Sequence, residues 1–239
     1  MSNKKIAICF SGYPRFVSES FDSISKNLLE RIGDFDIFAN LQWDENLIGK
    51  KIHHEFDKVY ERNEIDDFTS LYREKIKSIK INKPFEYDAS WLNVKSNAIG
   101  PDVSLEENRE ILYRLKSQYY GIYECLNMIP DLDDYSFVIR MRTDLILNRE
   151  IRPDEIFSDS IVNQSGYCAG HDRRFSDWFF CCPTEFVDFF KDLSDLETHF
   201  NEGVMHMHLL IDKLSKKYPI IERDLEIDTP NTSTRIKRF

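Results

Sequence analysis

The run Ile6-Ala7-Ile8-Cys9-Phe10, followed at once by Ser11-Gly12-Tyr13-Pro14-Arg15, constrains the fold more than any other stretch of the chain. Five consecutive apolar residues lack the alternation of a half-solvated strand. They read as a strand buried on both faces, the kind that parallel sheets use. The Gly and Pro that follow mark a turn. Phe21, Ile24, Leu28 and Ile32 then recur at helical spacing, Gly33 suits a helix stop, and Asp36-Ile37-Phe38-Ala39 reads as a second short strand. Strand, turn, helix and strand within roughly 40 residues is the size of a βαβ unit, whose right-handed crossover makes the two strands parallel.

The remaining periodicity extends this α/β pattern. Lys58-Val59-Tyr60 reads as a third strand, and Phe68, Leu71, Tyr72, Ile76 and Ile79 as a helix. Pro84 to Ser104 reads as a long loop, and Ser104-Leu105-Glu106-Glu107 fits a capping box. From there Ile111, Leu115, Tyr119, Ile122, Leu126 and Ile129 predict a long helix ending at Pro130. Tyr135 to Arg142 predicts a strand with Tyr135, Phe137, Ile139 and Met141 on one face and Val138 on the other. Further expectations are a strand at Ser160 to Asn163, helices at Thr184–Leu193 and Glu202–Lys217, and a last strand within Ile220 to Ile227. No repeat, low-complexity segment or linker interrupts the chain, so a single domain over residues 1–239 is expected. Its tail from Thr229 to Phe239 is polar and basic, with Arg235, Lys237 and Arg238, and disorder is its default state.

Composition removes several function classes. The formal net charge of −10 argues against binding nucleic acid or an anionic membrane by bulk charge. The five cysteines include no CxxC pair, so a zinc ribbon or thioredoxin-like site has no support, and reduced cytosolic thiols are expected. The N-terminal apolar run is too short for a signal peptide, and no stretch approaches the ~20 apolar residues of a membrane helix. The expectation is a cytoplasmic protein, with peripheral attachment at the inner face of a membrane still open. Neither Walker A nor GxGxxG is present, and GxSxG and HExxH are absent too.

Three stretches carry residue types suited to chemistry. Ser11, Gly12, Tyr13 and Arg15 follow the first strand, where Gly admits close backbone approach, the next helix N-terminus favours anions, and Arg can grip a phosphate by two prongs. A plain βα turn with Arg15 in solvent fits the local pattern equally well. In Arg140-Met141-Arg142-Thr143-Asp144, two arginines on one strand face can hold a diphosphate, and Asp144 can ligate Mg²⁺ or Mn²⁺. The competing reading is a structural Arg–Asp cluster, disfavoured because buried strands carry Arg reluctantly. The stretch Gly170 to Phe180 combines His171, Asp172 and Asp177 with Trp178, Phe179 and Phe180. An Asp beside apolar rings has its pKa raised, which suits a general base. Asp177 adjoins the aromatics and is the stronger candidate base, and Asp172 the weaker. Aromatic rings also stack on sugars, so Trp178 is a candidate acceptor contact; the bland alternative is a surface loop anchored by Trp178 and Phe179. Glu202 opens a predicted helix, where its charge suits the dipole without any catalytic role.

Taken in order, these stretches resemble a family of GT-A-like glycosyltransferases from bacterial and viral surface-polysaccharide pathways. The likeness rests on S-G-x-x-R at Ser11, Gly12 and Arg15, D-x-F at Asp36 to Phe38, and a Gln-Tyr pair at Gln118-Tyr119. It continues with Y-x-x-V-I-R-x-R-x-D-L at Tyr135 to Leu145, Asp177-Trp178-Phe179, and a Glu-led helix at Asn201-Glu202. It spans most of the chain, and Val138 to Leu145 is its most specific part. The resemblance implies a mixed, mostly parallel Rossmann-like sheet flanked by helices, with a nucleotide-sugar donor at the carboxyl ends of the central strands. Ser11, Gly12, Tyr13, Arg15, Arg140 and Arg142 would hold the donor, Trp178 and Glu202 would face a glycan or lipid-linked acceptor, and Asp144 would take the place of the metal-binding D-x-D motif. The chain departs from that motif, because the position two before Asp144 is Arg142. Either one Asp holds Mn²⁺ or Mg²⁺ together with the diphosphate, or arginines take over part of the metal's charge role. On this reading Asp144→Ala should abolish turnover at little cost in stability. The alternatives are a non-catalytic nucleotide- or glycan-binding module on the same fold and, ranked last, a nucleotidyl- or sulfotransferase.

Overall fold

A computed structural model describes residues 4–52, 58–84, 117–164, 178–191 and 216–230. In chain order its strands are β1 Lys5–Gly12, β2 Phe35–Gln42, β3 Ile76–Asn82, β4 Tyr135–Met141, β5 Ile146–Leu147, β6 Ile161–Gln164, β7 Phe179–Pro183, β8 Ile220–Arg223 and β9 Ile227–Asp228. Seven of them form one sheet in the order β3-β2-β1-β4-β7-β6-β8, and β5 pairs with β9 apart from it. Strands β3, β2, β1 and β4 are mutually parallel. Strand β7 runs antiparallel to both β4 and β6, and β8 is parallel to β6. The helices are α1 Val17–Ile24, which widens into a π turn over Ser25–Leu29, then α2 Glu64–Tyr72, α3 over residues 117–127, α4 Pro153–Ile156 and α5 Val187–Lys191. This is the α/β architecture that the residue pattern predicts, with the mixed, mostly parallel sheet that the resemblance implies.

The two-sided burial of β1 explains the layers. Ile6, Ile8 and Phe10 join one core with Val17, Ile24 and Leu28 of the α1 segment and Ile65, Phe68 and Tyr72 of α2. Ala7 and Cys9 point the other way, into a second core with Tyr119, Ile122, Cys125 and Leu126 of α3 and Val187 and Phe190 of α5. Each large apolar side chain so buried contributes about 1.5–3 kcal/mol of transfer free energy. The α1 and α2 crossovers step outward from β1 on one face, while α3 leads back across β1 on the other. Right-handed crossovers that reverse direction require that change of face. The cysteines Cys9, Cys125, Cys181 and Cys182 are buried free thiols, and Cys125 Sγ donates to the carbonyls of Phe10 and Phe38 at 3.4 and 3.3 Å.

Several expectations are corrected. The predicted helix containing Phe68, Leu71 and Tyr72 ends at Tyr72, and Ile76 and Ile79 belong instead to edge strand β3. The segment at Lys58–Tyr60 makes only isolated bridges, Tyr60 with Ile48 and Val59 with Lys51, and no sheet strand. In β4 the residue opposite Lys5 is Tyr135 and the residue opposite Ile6 is Phe137, so Ser136 bulges out of register. The bulge turns Tyr135 away from Ile139 and Met141 and into the α3 core beside Val138. Phe179 and Phe180, which end the aromatic stretch Gly170 to Phe180, open the buried strand β7 between β4 and β6, so Phe179 is not the anchor of a surface loop. The last strand expected within Ile220 to Ile227 is there as β8, and a second short strand, β9, follows Glu226 with φ 55°. The predicted capping box at Ser104, the start of the long helix and the part of the last helix over residues 202–215 lie outside the described residues.

Candidate functional site

The strand order reverses beside β1. Chain growth runs β1 to β2 to β3 on one side, and β4 is then laid down on the other side of β1. In open α/β sheets such a switch point leaves a crevice at the carboxyl ends of the strands, where ligands bind. Ser11 and Gly12 finish β1, and Arg140 and Met141 finish β4, so the two strongest sequence signals meet there. Asp36 of the D-x-F element lies at the opposite, amino end of the sheet. There it accepts hydrogen bonds from Tyr135 Oη at 2.9 Å and Lys5 Nζ at 3.3 Å, a structural role.

The turn after β1 is fixed from both sides. Gly12 has φ 111°, which an L side chain adopts only under strain, and Phe16 follows with φ 51° at the start of α1. The Arg15 backbone N–H donates to Thr143 Oγ1 at 3.2 Å, tying the turn to the end of β4. The Val17 N–H, first in α1, donates to Glu64 Oε2 at 2.9 Å. Glu64, brought in from α2, thus satisfies the first free N–H of this helix. Burial raises the Glu64 carboxyl above its ordinary range despite that hydrogen bond. Helix α3 comes up close beneath the turn at Gly121, where an added Cβ would lie 3.7 Å from Gly12 N.

Asp144 is the buried centre of the site, 3% exposed. Arg142 grips it with two prongs, Nε to Oδ1 at 2.8 Å and Nη2 to Oδ2 at 2.5 Å, and Arg15 Nε lies 3.8 Å from Oδ2. Burial alone would raise the Asp144 carboxyl; Arg142 and then Arg15 outweigh it and leave it below the usual carboxylate range. Arg142 is held in turn by Trp178. Its guanidinium carbon sits 5.7 Å from the Trp178 ring centroid, and its backbone N–H donates to the Trp178 carbonyl at 3.1 Å. Arg15 Nε is buried and makes no hydrogen bond among the described residues.

Arg140 plays a different part. It is 1% exposed, and it donates from Nε to Ser11 Oγ at 3.0 Å and from Nη2 to the Ser11 carbonyl at 3.4 Å. It thus supports the turn from below, while Arg142 stands beyond the end of β4. Two residues that the sequence reading passed over complete the site. Thr143 receives Arg15, although it lies inside the signature already read. Tyr60, buried and edge-on to Trp43 at 5.2 Å, feels the charges of Arg15, Asp144 and Glu64, and burial pushes its phenol well above its usual value. Only a tertiary contact could have marked Tyr60, because more than forty residues separate it from the β1 turn.

Of the predicted residues, Ser11, Gly12, Arg15, Arg142, Asp144 and Trp178 converge on this end of the sheet, with Arg140 below. Tyr13 belongs to the same turn and acts electrostatically on Tyr60. Asp172, Asp177 and Glu202 lie outside the described residues. Asp144 as it stands does not fit the role of a divalent-ion ligand, since both its oxygens are taken by Arg142 and a second guanidinium adjoins. Among the described residues no group of three His, Cys, Asp or Glu side chains is placed to hold a metal ion, and no helix is long and apolar enough to cross a membrane.

No protein-family model matches the chain, and no curated protein matches its sequence. Among solved structures, the apo form of the glycosyltransferase GlyE from Streptococcus pneumoniae TIGR4 superposes with a TM-score of 0.47 at 11% identity, over 92% of this chain. The chain spans 45% of the length of that protein.

Proposed function

We propose that this chain is a single-domain glycosyltransferase that moves a sugar from a nucleotide-sugar donor to a glycan or lipid-linked acceptor in surface-polysaccharide or glycoconjugate synthesis. The observation that carries the reading is the junction at the switch point. There the S-G-x-x-R turn is stitched to the R-x-R-x-D end of β4, through Arg15 N to Thr143 and Arg15 Nε to Asp144. A nucleoside diphosphate leaves with growing negative charge as the glycosidic bond breaks, and cationic groups fixed in a water-poor crevice stabilise that charge most effectively. Arg15 and Arg142 are such groups, and Ser11 and Gly12 let the donor approach the backbone. Trp178 and Glu202 are the candidate acceptor contacts. Asp177, next to Trp178 in sequence, is the candidate base for an inverting transfer, with Asp172 as its substitute. The proposed location is the cytoplasm, with peripheral attachment to the inner face of the membrane as the alternative.

Mass spectrometry of products from UDP-, GDP- and dTDP-sugars offered with glycan and lipid-linked acceptors tests the reading. Transfer from one donor family, lost in Asp177→Ala, is expected. A second reading, a nucleotide- or glycan-binding module without turnover, draws on the clamping of Asp144 by Arg142. Ligand binding with no transfer from any donor would favour it.

A further inference from the structure

We propose that this site takes the diphosphate of its donor without a divalent cation, the guanidinium groups of Arg15 and Arg142 doing the work of the metal. The inference rests on the nucleotide-sugar reading above and concerns how that site handles charge. Three observations lead to it. The residue two before Asp144, where D-x-D supplies a carboxylate, is Arg142, a fixed cation. That cation is folded onto Asp144 in a two-pronged pair, with Arg15 adjoining at 3.8 Å. A divalent ion arriving at Asp144 would have to evict Arg142 and then sit beside two positive charges. Finally, Arg15 Nε is buried and makes no hydrogen bond among the described residues, which suits an acceptor brought by a ligand.

An anion meets the reverse situation. The guanidinium fork matches phosphate oxygens as well as it matches a carboxylate, so a diphosphate can compete with Asp144 for Arg142 and meet Arg15 at once. In the transfer, the bond from the anomeric carbon to the β-phosphate oxygen breaks and its electron pair stays on that oxygen. The acceptor oxygen forms the new bond and gives its proton to a carboxylate base. The charge that a metal would offset then arises beside groups whose positive charge is permanent. Asp144 keeps the two guanidiniums apart and aimed until the donor arrives.

The test is a thermal-shift titration of the full chain with UDP, GDP and dTDP, after stripping with EDTA and in parallel with Mn²⁺ or Mg²⁺. We expect one nucleoside diphosphate to bind in EDTA with an affinity within about threefold of that in Mn²⁺, and Mn²⁺ alone to give no shift. Arg142→Asp, which restores the first carboxylate of D-x-D, should lose the metal-free binding by at least about tenfold and regain binding with Mn²⁺. Binding that needs Mn²⁺ in the wild-type chain overturns the inference and leaves the transferase reading intact. No binding in either arm overturns both. The wild-type arms decide the matter even if Arg142→Asp does not fold.

Discussion

Replacing Asp144 by Asn keeps the shape of the side chain and removes its charge, which leaves Arg142 and Arg15 facing each other across a neutral amide. Breaking a buried pair by removing one partner costs about 3–5 kcal/mol. Here the carboxylate is buried, while the Arg142 and Arg15 side chains keep 18% and 19% of their exposure, so water offsets part of the loss. That leaves about 2–4 kcal/mol. At roughly 2–4 °C per kcal/mol for a chain of this length, Tm should fall by about 4–16 °C. The structure thus revises the sequence expectation that Asp144 can be removed cheaply. The pH dependence fixes the sign. The folded carboxyl lies below its ordinary value of 3.8, so its contribution is present above that value and is lost as pH falls through the folded one. Melts of wild type and Asp144→Asn should differ fully at pH 7 and converge below about pH 4. In a double-mutant cycle, Arg142→Gln should recover part of the loss, with a coupling of about 1–3 kcal/mol. A Tm change under about 2 °C at pH 7, or additivity of the two substitutions, would refute the clamp.

Other predictions follow from the turn. Glu64→Ala removes the acceptor of the Val17 N–H and should cost about 1–2 kcal/mol in urea melts. Glu64→Gln keeps an acceptor and sheds a buried charge. Because the folded carboxyl is raised, wild type should gain stability relative to this variant as pH falls through the folded value toward 4.5, and the gain should be complete below it. Gly12→Ala meets no atom within 4 Å, so its cost is backbone strain at φ 111°, about 1–3 kcal/mol, with weaker nucleotide binding as the turn shifts. An unchanged melt for Gly12→Ala would place the turn elsewhere.

The first ~40 residues were legible because every local signal agreed: a two-sided apolar run, a Gly-Pro turn, a helical stripe and a second strand. The end of β4 was legible for the same reason, whereas the meeting of Ser11–Arg15 with Arg142–Asp144 followed only from the family resemblance. The failures have distinct physical causes. Strand β3 is an edge strand with Ile81 half exposed, and its Ile76 and Ile79 continue the three-and-four spacing of α2, so periodicity alone extends the helix. Strand β7 follows a polar stretch rich in Asp and Arg, which drew Phe179 and Phe180 into the aromatic stretch from Gly170, although four apolar residues in a row from Phe179 also describe a buried strand. The face of Tyr135 depended on one bulged residue, which no alternation pattern reveals. The capping of Val17 by Glu64, and the placing of Tyr60 near Arg15, join segments more than forty residues apart. They exist only once the sheet has formed.

The central claim is that a nucleoside diphosphate binds where β1 and β4 part. Isothermal titration of UDP, GDP and dTDP into wild type and Arg15→Gln tests it most directly, because this substitution leaves the Arg15 backbone bond to Thr143 in place. Losing a charge-assisted contact of about 1.5–3 kcal/mol should weaken binding by roughly tenfold or more. One nucleotide family should bind wild type and show that loss in Arg15→Gln, with the melting temperature nearly unchanged. Equal affinity in the two proteins, or no binding of any nucleotide to wild type, would contradict it.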